Sequence, residues 1–199
     1  MPQLHRLTVR AQSFLDSVTA PSLKSLTLVD NVVRIISSRT LFLRLGDFLH
    51  RSKCALTDLD FFWQGTLDEL FIILSSMPTL ESLWCRSDLD IAFYEWMKLP
   101  SSMLPMLRTF SLQPGTSTNL LAALLSPHAD AIPIIEMVES RLAGGMLESV
   151  NVGCLVVKTL DDGAKKRLTA LNALSHVKVE IEEFSIKRIG STFSGYWCH

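Results

Sequence analysis

Several features are scarce in this chain of 199 residues, and each scarcity excludes something. There is no excess of charge of one sign: 19 basic side chains face 20 acidic ones. General attraction to nucleic acid or to an anionic membrane surface needs a basic excess, so neither is expected as a partner. No apolar run approaches the length that spans a bilayer; Phe71-Ile72-Ile73-Leu74 and residues 120–125 are short amphipathic pieces. The opening Met1-Pro2-Gln3-Leu4-His5-Arg6 has no apolar core of a signal peptide. The four cysteines, Cys54, Cys85, Cys154 and Cys198, lie far apart without a Cys-x-x-Cys pair, which points to a reduced cytoplasmic or nuclear setting.

Catalytic and ligand motifs are scarce as well. Ser, His and Asp occur, but Gly190-Ser191-Thr192-Phe193-Ser194-Gly195 lacks the spacing of a nucleophile elbow. Asp58-x-Asp60 and Asp88-x-Asp90 offer too few oxygens for a divalent cation. The histidines are scattered, and a zinc site needs converging N and S ligands. Gly144-Gly145 has no Lys-Ser/Thr after it, so it reads as a helix-ending turn rather than a phosphate loop. The expectation is a protein without enzymatic activity, cofactor or metal.

What the chain has is a repeat. Leu4-x-x-Leu7-x-Val9 recurs as Leu23/Leu26/Leu28, Leu56/Leu59/Phe61, Leu80/Leu83/Cys85, Leu107/Phe110/Leu112, Leu147/Val150/Val152 and Leu174/Val177/Val179. The intervening positions are polar in every copy except at Trp84. In a chain that is 48% apolar one triplet means little, but agreement on both faces of seven copies predicts seven strands. They are expected near residues 5–9, 24–28, 57–61, 81–85, 108–112, 148–152 and 176–180. Pro2, Pro21, Pro78 and Pro105 each stand two residues before an opening leucine, where a turn suits proline.

Variable segments join the copies, with openings 19, 33, 24, 27, 40 and 27 residues apart. Amphipathic spacing predicts helices over 40–51, 66–76, 117–125 and 130–141, and another capped by Asp161 or Asp162 that carries Leu168, Leu171 and Leu174. Thr66 and Glu69 have capping-box spacing. Trp63 and Trp96 are assigned to loops packed under the helices, and Met77, Met97, Met103 and Met106 to gap filling. Alternating strands and helices imply an α/β fold with parallel strands. The first strand lacks a covering segment, and residues 183–199 either fold back as a cap or stay loose.

This arrangement resembles leucine-rich repeat proteins of the irregular, long-repeat kind. In look it is similar to the leucine-rich half of fungal (basidiomycete) F-box proteins. The likeness is carried by Ala20-Pro21-Ser22-Leu23-Lys24-Ser25-Leu26-Thr27-Leu28, Phe48-Leu49-His50-Arg51-Ser52-Lys53-Cys54-Ala55-Leu56, Met77-Pro78-Thr79-Leu80-Glu81-Ser82-Leu83 and Ile135-Glu136-Met137-Val138-Glu139-Ser140-Arg141. The resemblance implies a leucine-rich repeat solenoid over 1–182, with a curved parallel sheet, followed by a tail over 183–199. It implies a protein–protein recognition module like the substrate-binding part of a ubiquitin-ligase receptor. No segment matches the F-box, so docking on a ligase scaffold would require a missing N-terminal F-box. The alternative is a leucine-rich scaffold or regulator unrelated to ubiquitin, for instance one acting on a GTPase. The family's laddering Asn/Cys position holds Gln12, Asn31, Gln64, Asp88, Gly115 and Leu155, which predicts uneven curvature.

Aligning the copies places Asp60, Trp84 and Ser111 side by side, with Phe62, Arg86 and Gln113 one dyad along. Trp, Phe and Arg grouped at a patch centre are the residue types that dominate binding hot spots. The expected partner surface is the concave face around Asp60, Phe62, Trp84 and Arg86, reaching Arg108 and Gln113. The alternative left open is that Trp84 stacks on Phe62 or on the Arg86 stem and simply fills a half-exposed face.

Overall fold

The Leu-x-x-Leu-x-Val spacing sits awkwardly on a strand, because residues three apart point to opposite faces of a pleat. A computed structural model, describing residues 4–10, 12–29, 38–63, 66–86, 91–98, 103–113, 131–157 and 160–183, shows how the backbone resolves this. The residue after each opening leucine is a joint, not a strand residue. In the first five copies its carbonyl accepts two successive N–H groups from the next copy. His5 O takes those of Lys24 and Ser25 at 2.9 and 3.0 Å; Thr57 O takes those of Glu81 and Ser82, both at 2.8 Å. Lys24, Glu81 and Arg108 carbonyls do the same. Ahead of the joint, Leu23, Leu80 and Leu107 donate their N–H to Ala20, Met77 and Leu104, all at 3.1 Å. Pro21, Pro78 and Pro105 therefore occupy the second position of a four-residue turn, where a fixed φ is an advantage.

After each joint comes a strand: β1 (Arg6–Val9), β2 (Ser25–Leu28), β3 (Asp58–Phe62), β4 (Ser82–Arg86), β5 (Thr109–Gln113), β6 (Ser149–Val157) and β7 (Val177–Glu183). They form one seven-stranded sheet in chain order, and every neighbouring pair is parallel. The α/β expectation with parallel strands therefore holds. Each strand begins one residue later than expected, because the joint consumes the first. β6 and β7 also run longer, and the register shifts between Val152 and Leu155, an irregularity of the kind a bulge produces.

Two columns of side chains cross the sheet on its buried side. Leu7, Leu26, Leu59, Leu83, Phe110, Val150 and Val177 are in register, as are Val9, Leu28, Phe61, Cys85, Leu112, Val152 and Val179. A third set, the opening leucines, behaves differently from the expectation that all are buried. Leu23, Leu56, Leu80, Leu107 and Leu147 are buried, but Leu4 and Leu174 are 45% and 41% exposed. A stacked residue needs a neighbour on both sides, and the first and last copies have one only.

The return segments supply α1 (Ser38–Ser52), α2 (Leu67–Ser75), α3 (Ile91–Met97), α4 (Ile132–Ala143) and α5 (Asp162–Asn172), with a short 3-10 helix at Gln12–Asp16. The capping box forms: Thr66 Oγ1 accepts from Glu69 N–H at 3.3 Å, and Glu69 Oε2 from Thr66 N–H at 3.1 Å. Of the two aspartates offered for α5, Asp161 is the cap, accepting from Ala164 N–H at 2.6 Å. α4 carries a proline in its first turn and ends at Gly144, with Gly145 at φ 66° turning the chain into β6. α3 was not expected. It moves Trp96 from a loop to a helix, where it is 38% exposed against the ring of Phe71, while Trp63 is buried beside Phe61. Met77 and Met97 fill the core as expected, but Met106 is exposed. The helix expected over 117–125, the tail at 184–199 and most of the Asn-ladder positions lie outside the described residues.

Helix packs on helix in chain order, α1 on α2, α3 on α4 and α4 on α5. A chain of charges ties the last three. Lys98, just past α3, reaches Glu95 at 2.6 Å and Glu136 of α4 at 2.5 Å; Arg167 of α5 holds Glu139 through two hydrogen bonds. The Lys98 contact holds the Glu136 carboxyl below its usual pKa.

Beneath that chain lies a buried cation. Arg141 of α4 is fully buried. Its Nε donates to Met97 O at 2.6 Å, Nη1 to Leu104 O at 2.9 Å and Nη2 to Met103 O at 2.8 Å. Met97 closes α3, so one bond satisfies a helix-terminal carbonyl at the negative end of the helix dipole. The other two pin the segment leading into β5, where Leu104 holds an unfavourable φ of 46° for a residue with a Cβ. Burial lowers the pKa of Arg141 from the usual arginine value.

Candidate functional site

Alternation along each strand leaves one sheet face to the core and the other open. On β3 to β5 the open-face residues stand in three rows. The first is Asp58, Ser82 and Thr109; the second Asp60, Trp84 and Ser111; the third Phe62, Arg86 and Gln113. The side-by-side grouping expected from the repeat alignment is therefore present in the register. Rows one and two continue over β2 with Ser25 and Thr27 and over β6 with Ser149 and Asn151. Trp84 is thus flanked by Asp60 and Ser111 on the neighbouring strands and by Ser82 and Arg86 along its own, with Phe62 on the diagonal.

Trp84 is 43% exposed. Among the described residues it has no aromatic partner, whereas Trp63 meets Phe61 and Trp96 meets Phe71. The alternative in which Trp84 stacks on Phe62 is not what the rings do: Phe62 is directly opposite Arg86, diagonal to the indole. Arg86 instead turns its Nη2 to Asp60 Oδ1 at 3.5 Å, a long contact between two partly exposed groups. An ion pair of this kind contributes well under about 1 kcal/mol and leaves both partners open to a better one. The Arg86 Nε is buried and unbonded among the described residues.

Arg108 is placed differently from the other five expected contact residues. It is a joint residue, one position before β5, and so sits at the lip where the strands begin. Its neighbours are the joint residues of the flanking copies: Glu148 Oε1 at 2.6 Å and Glu81 Oε2 at 3.9 Å. Gln113 closes the other end of the strand, and five residues of extended chain cover about 16 Å. Asn151, exposed in the row of Trp84, is one open-face residue that the expected contact set leaves out; the same repeat alignment carried one strand further finds it.

Beneath the patch, on the core side, lies Cys85. Burial pushes its thiol up to about 12, with the Asp60 charge adding to the rise and Arg86 opposing it. Such a thiol stays protonated and is no nucleophile at neutral pH. Among the described residues no three His, Cys, Asp or Glu side chains converge as metal ligands, and no helix is long and apolar enough to cross a membrane. Chemically, the open face of β3 to β5 can offer hydrogen bonds, the charges of Asp58, Asp60 and Arg86, and the rings of Trp84 and Phe62. No family model, no curated protein and no solved structure matches this chain.

Proposed function

We propose that this protein is a leucine-rich repeat solenoid that recognises another protein on the open face of its sheet, with no enzymatic activity of its own. The observation that carries the reading is Trp84: an indole 43% exposed, without a ring partner among the described residues, set among polar and charged side chains in the middle of the sheet. Left wet, a large apolar surface of this kind has no structural benefit to offset its hydration, and exposed aromatics ringed by polar groups mark contact sites. Asp60, Phe62, Arg86 and Gln113 surround it and supply orientation, with Arg108 at the lip as an outlying contact. The resemblance to the leucine-rich half of F-box proteins extends the proposal to substrate recognition for a ubiquitin ligase, through an F-box supplied elsewhere. A scaffold unrelated to ubiquitin would use the same face.

The test compares two tryptophans of similar exposure. Affinity capture with the wild-type chain, Trp84→Ala and Trp96→Ala, together with melting curves of all three, separates binding from folding. Trp84→Ala is expected to weaken retention of the captured protein by about 2 kcal/mol or more at nearly unchanged stability. Loss of binding only in proportion to loss of folding, or an equal loss in Trp96→Ala, would remove the support for this face.

A further inference from the structure

The two edges of the sheet are finished differently. In a parallel ladder successive residues point their N–H and C=O alternately to the two sides. In β7, Val177 and Val179 face away from β6, since His176 turns its carbonyl to Val150 N–H at 3.0 Å. These first two outward residues of the strand are served from within the chain. Val177 N–H donates to Leu174 O at 3.1 Å. The Asn172 amide then lies along the strand, Oδ1 accepting from Val179 N–H and Nδ2 donating to Val179 O, both at 2.8 Å. One side chain thus occupies the near end of this edge, pairing with Val179 as a neighbouring strand would.

β1 has no such pairing. Val9 O accepts from Val29 N–H at 2.9 Å, so Leu7 and Val9 face β2, and Arg6 and Thr8 point their backbone groups outward. Among the described residues nothing is bonded to them. The side chains sort by face. On the core side Leu4 is exposed, Leu7 half-buried, and Phe14 of the adjoining 3-10 helix is 50% exposed. On the open side stand Arg6, Thr8 and Arg10, all exposed. Neither arginine has an acidic partner among the described residues, and the nearby Asp16 is held by Arg44 at 3.1 Å.

We propose that the outer edge of β1 accepts an extended segment of a partner protein in which apolar and acidic residues alternate. Its backbone would pair with Arg6 and Thr8, its apolar side chains would cover Leu4, Leu7 and Phe14, and its carboxylates would lie beside Arg6 and Arg10. Charge decides between this occupant and a second copy of the chain. Two β1 edges would bring Arg6 and Arg10 of both copies together on one face, and on the more acidic edge, β7, Asn172 already occupies the backbone of Val179. The surface lies three strands from Trp84, and the proposal stands independently of that face.

The probe is an eight-residue peptide of alternating Val and Glu, with a Val/Lys peptide as control, followed by fluorescence anisotropy and amide hydrogen exchange. The Val/Glu peptide is expected to bind about ten-fold or more tighter than the Val/Lys peptide and to slow exchange at Arg6 and Thr8. Thr8→Pro removes an outward N–H without touching the pairing to β2, so it should abolish binding while the melting temperature holds. The double change Arg6→Glu, Arg10→Glu should reverse the preference between peptides, and it decides the matter should Thr8→Pro fail to fold. Equal binding of the two peptides, undiminished binding by folded Thr8→Pro, or protection elsewhere would overturn the proposal. Peptide-free self-association that Thr8→Pro suppresses would assign the edge to a second copy and overturn it equally.

Discussion

Replacing Arg141 by Met keeps most of the side-chain volume and deletes every donor. Two buried carbonyls, of Met97 and Leu104, and the part-buried carbonyl of Met103 then lose this donor. A buried acceptor left unmade costs about 1–3 kcal/mol, so the two buried ones alone lose on the order of 2–6 kcal/mol. Against it stands relief from desolvating a guanidinium, several kcal/mol in real proteins. In most buried ion pairs that relief balances the loss, because both charges are removed together. Here the acceptors are backbone and stay. The carbonyl of Met97 can regain some water by fraying the end of α3; Leu104, buried and held at φ 46°, has less freedom. The net destabilisation is therefore expected at about 3–5 kcal/mol, the range for stranding one side of a buried polar pairing. With a urea m-value of about 2 kcal/mol/M, the unfolding midpoint should fall by roughly 2 M. Arg141→Lys should recover only part, since one ammonium cannot reach three carbonyls in a fixed fork. A midpoint for Arg141→Met equal to or above wild type would refute the reasoning and show the buried charge to be a net burden.

Leu83→Ala, in the middle of the first core column, should lower stability by about 2–5 kcal/mol in the same urea experiment, because the rigid ladder cannot close around the cavity. Acid stability gives a third test. The Glu136 pKa is depressed in the folded state, chiefly by its hydrogen bond from Lys98, so its stabilisation is present above the unfolded value near 4.5 and is lost as pH falls through the lower folded value. Glu136→Gln should make the melting temperature flatter across that acid window than wild type, and an identical profile would count against the contact. Finally, Cys85 in the native protein should resist alkylation at pH 8 and react only after unfolding, while Cys54, half-buried with a thiol raised mainly by burial, should modify slowly; rapid native labelling of Cys85 by mass spectrometry would contradict its burial.

The parts of the fold written into local alternation were legible from the residues. Asp60, Trp84 and Ser111 line up because a period of two fixes which face each residue takes, whatever the return segments do. Position 108 defeated the same reasoning: Arg108 looks like a strand residue in the pattern, but the backbone uses it as the joint, which puts it at the lip beside Glu81 and Glu148. α3 was missed because seven residues give too few turns for a periodic signal, although Phe93 and Met97 have helical spacing. Arg141 is the most instructive omission. It continues the buried stripe of Ile134, Met137 and Val138 at the right interval, yet its residue type argues for solvent. Its acceptors are carbonyls, and carbonyls leave no trace in a sequence. The pairing of Asn172 with the backbone of Val179 is hidden for the same reason.

Because every strand pairs only with the copies before and after it, the first and last strands lie at opposite edges of the sheet. That order dictates how the protein would respond to mechanical load. Force applied between β1 and β7 pulls across the ladder, so hydrogen bonds open one after another at an edge instead of sharing the strain along a strand. Copies should detach singly, each releasing its own return segment, in a low-force series of steps whose lengths follow the unequal spacing of the opening leucines. The molecule would act as an extensible link of uneven steps, with the Arg141 clamp resisting the separation of α3 from α4.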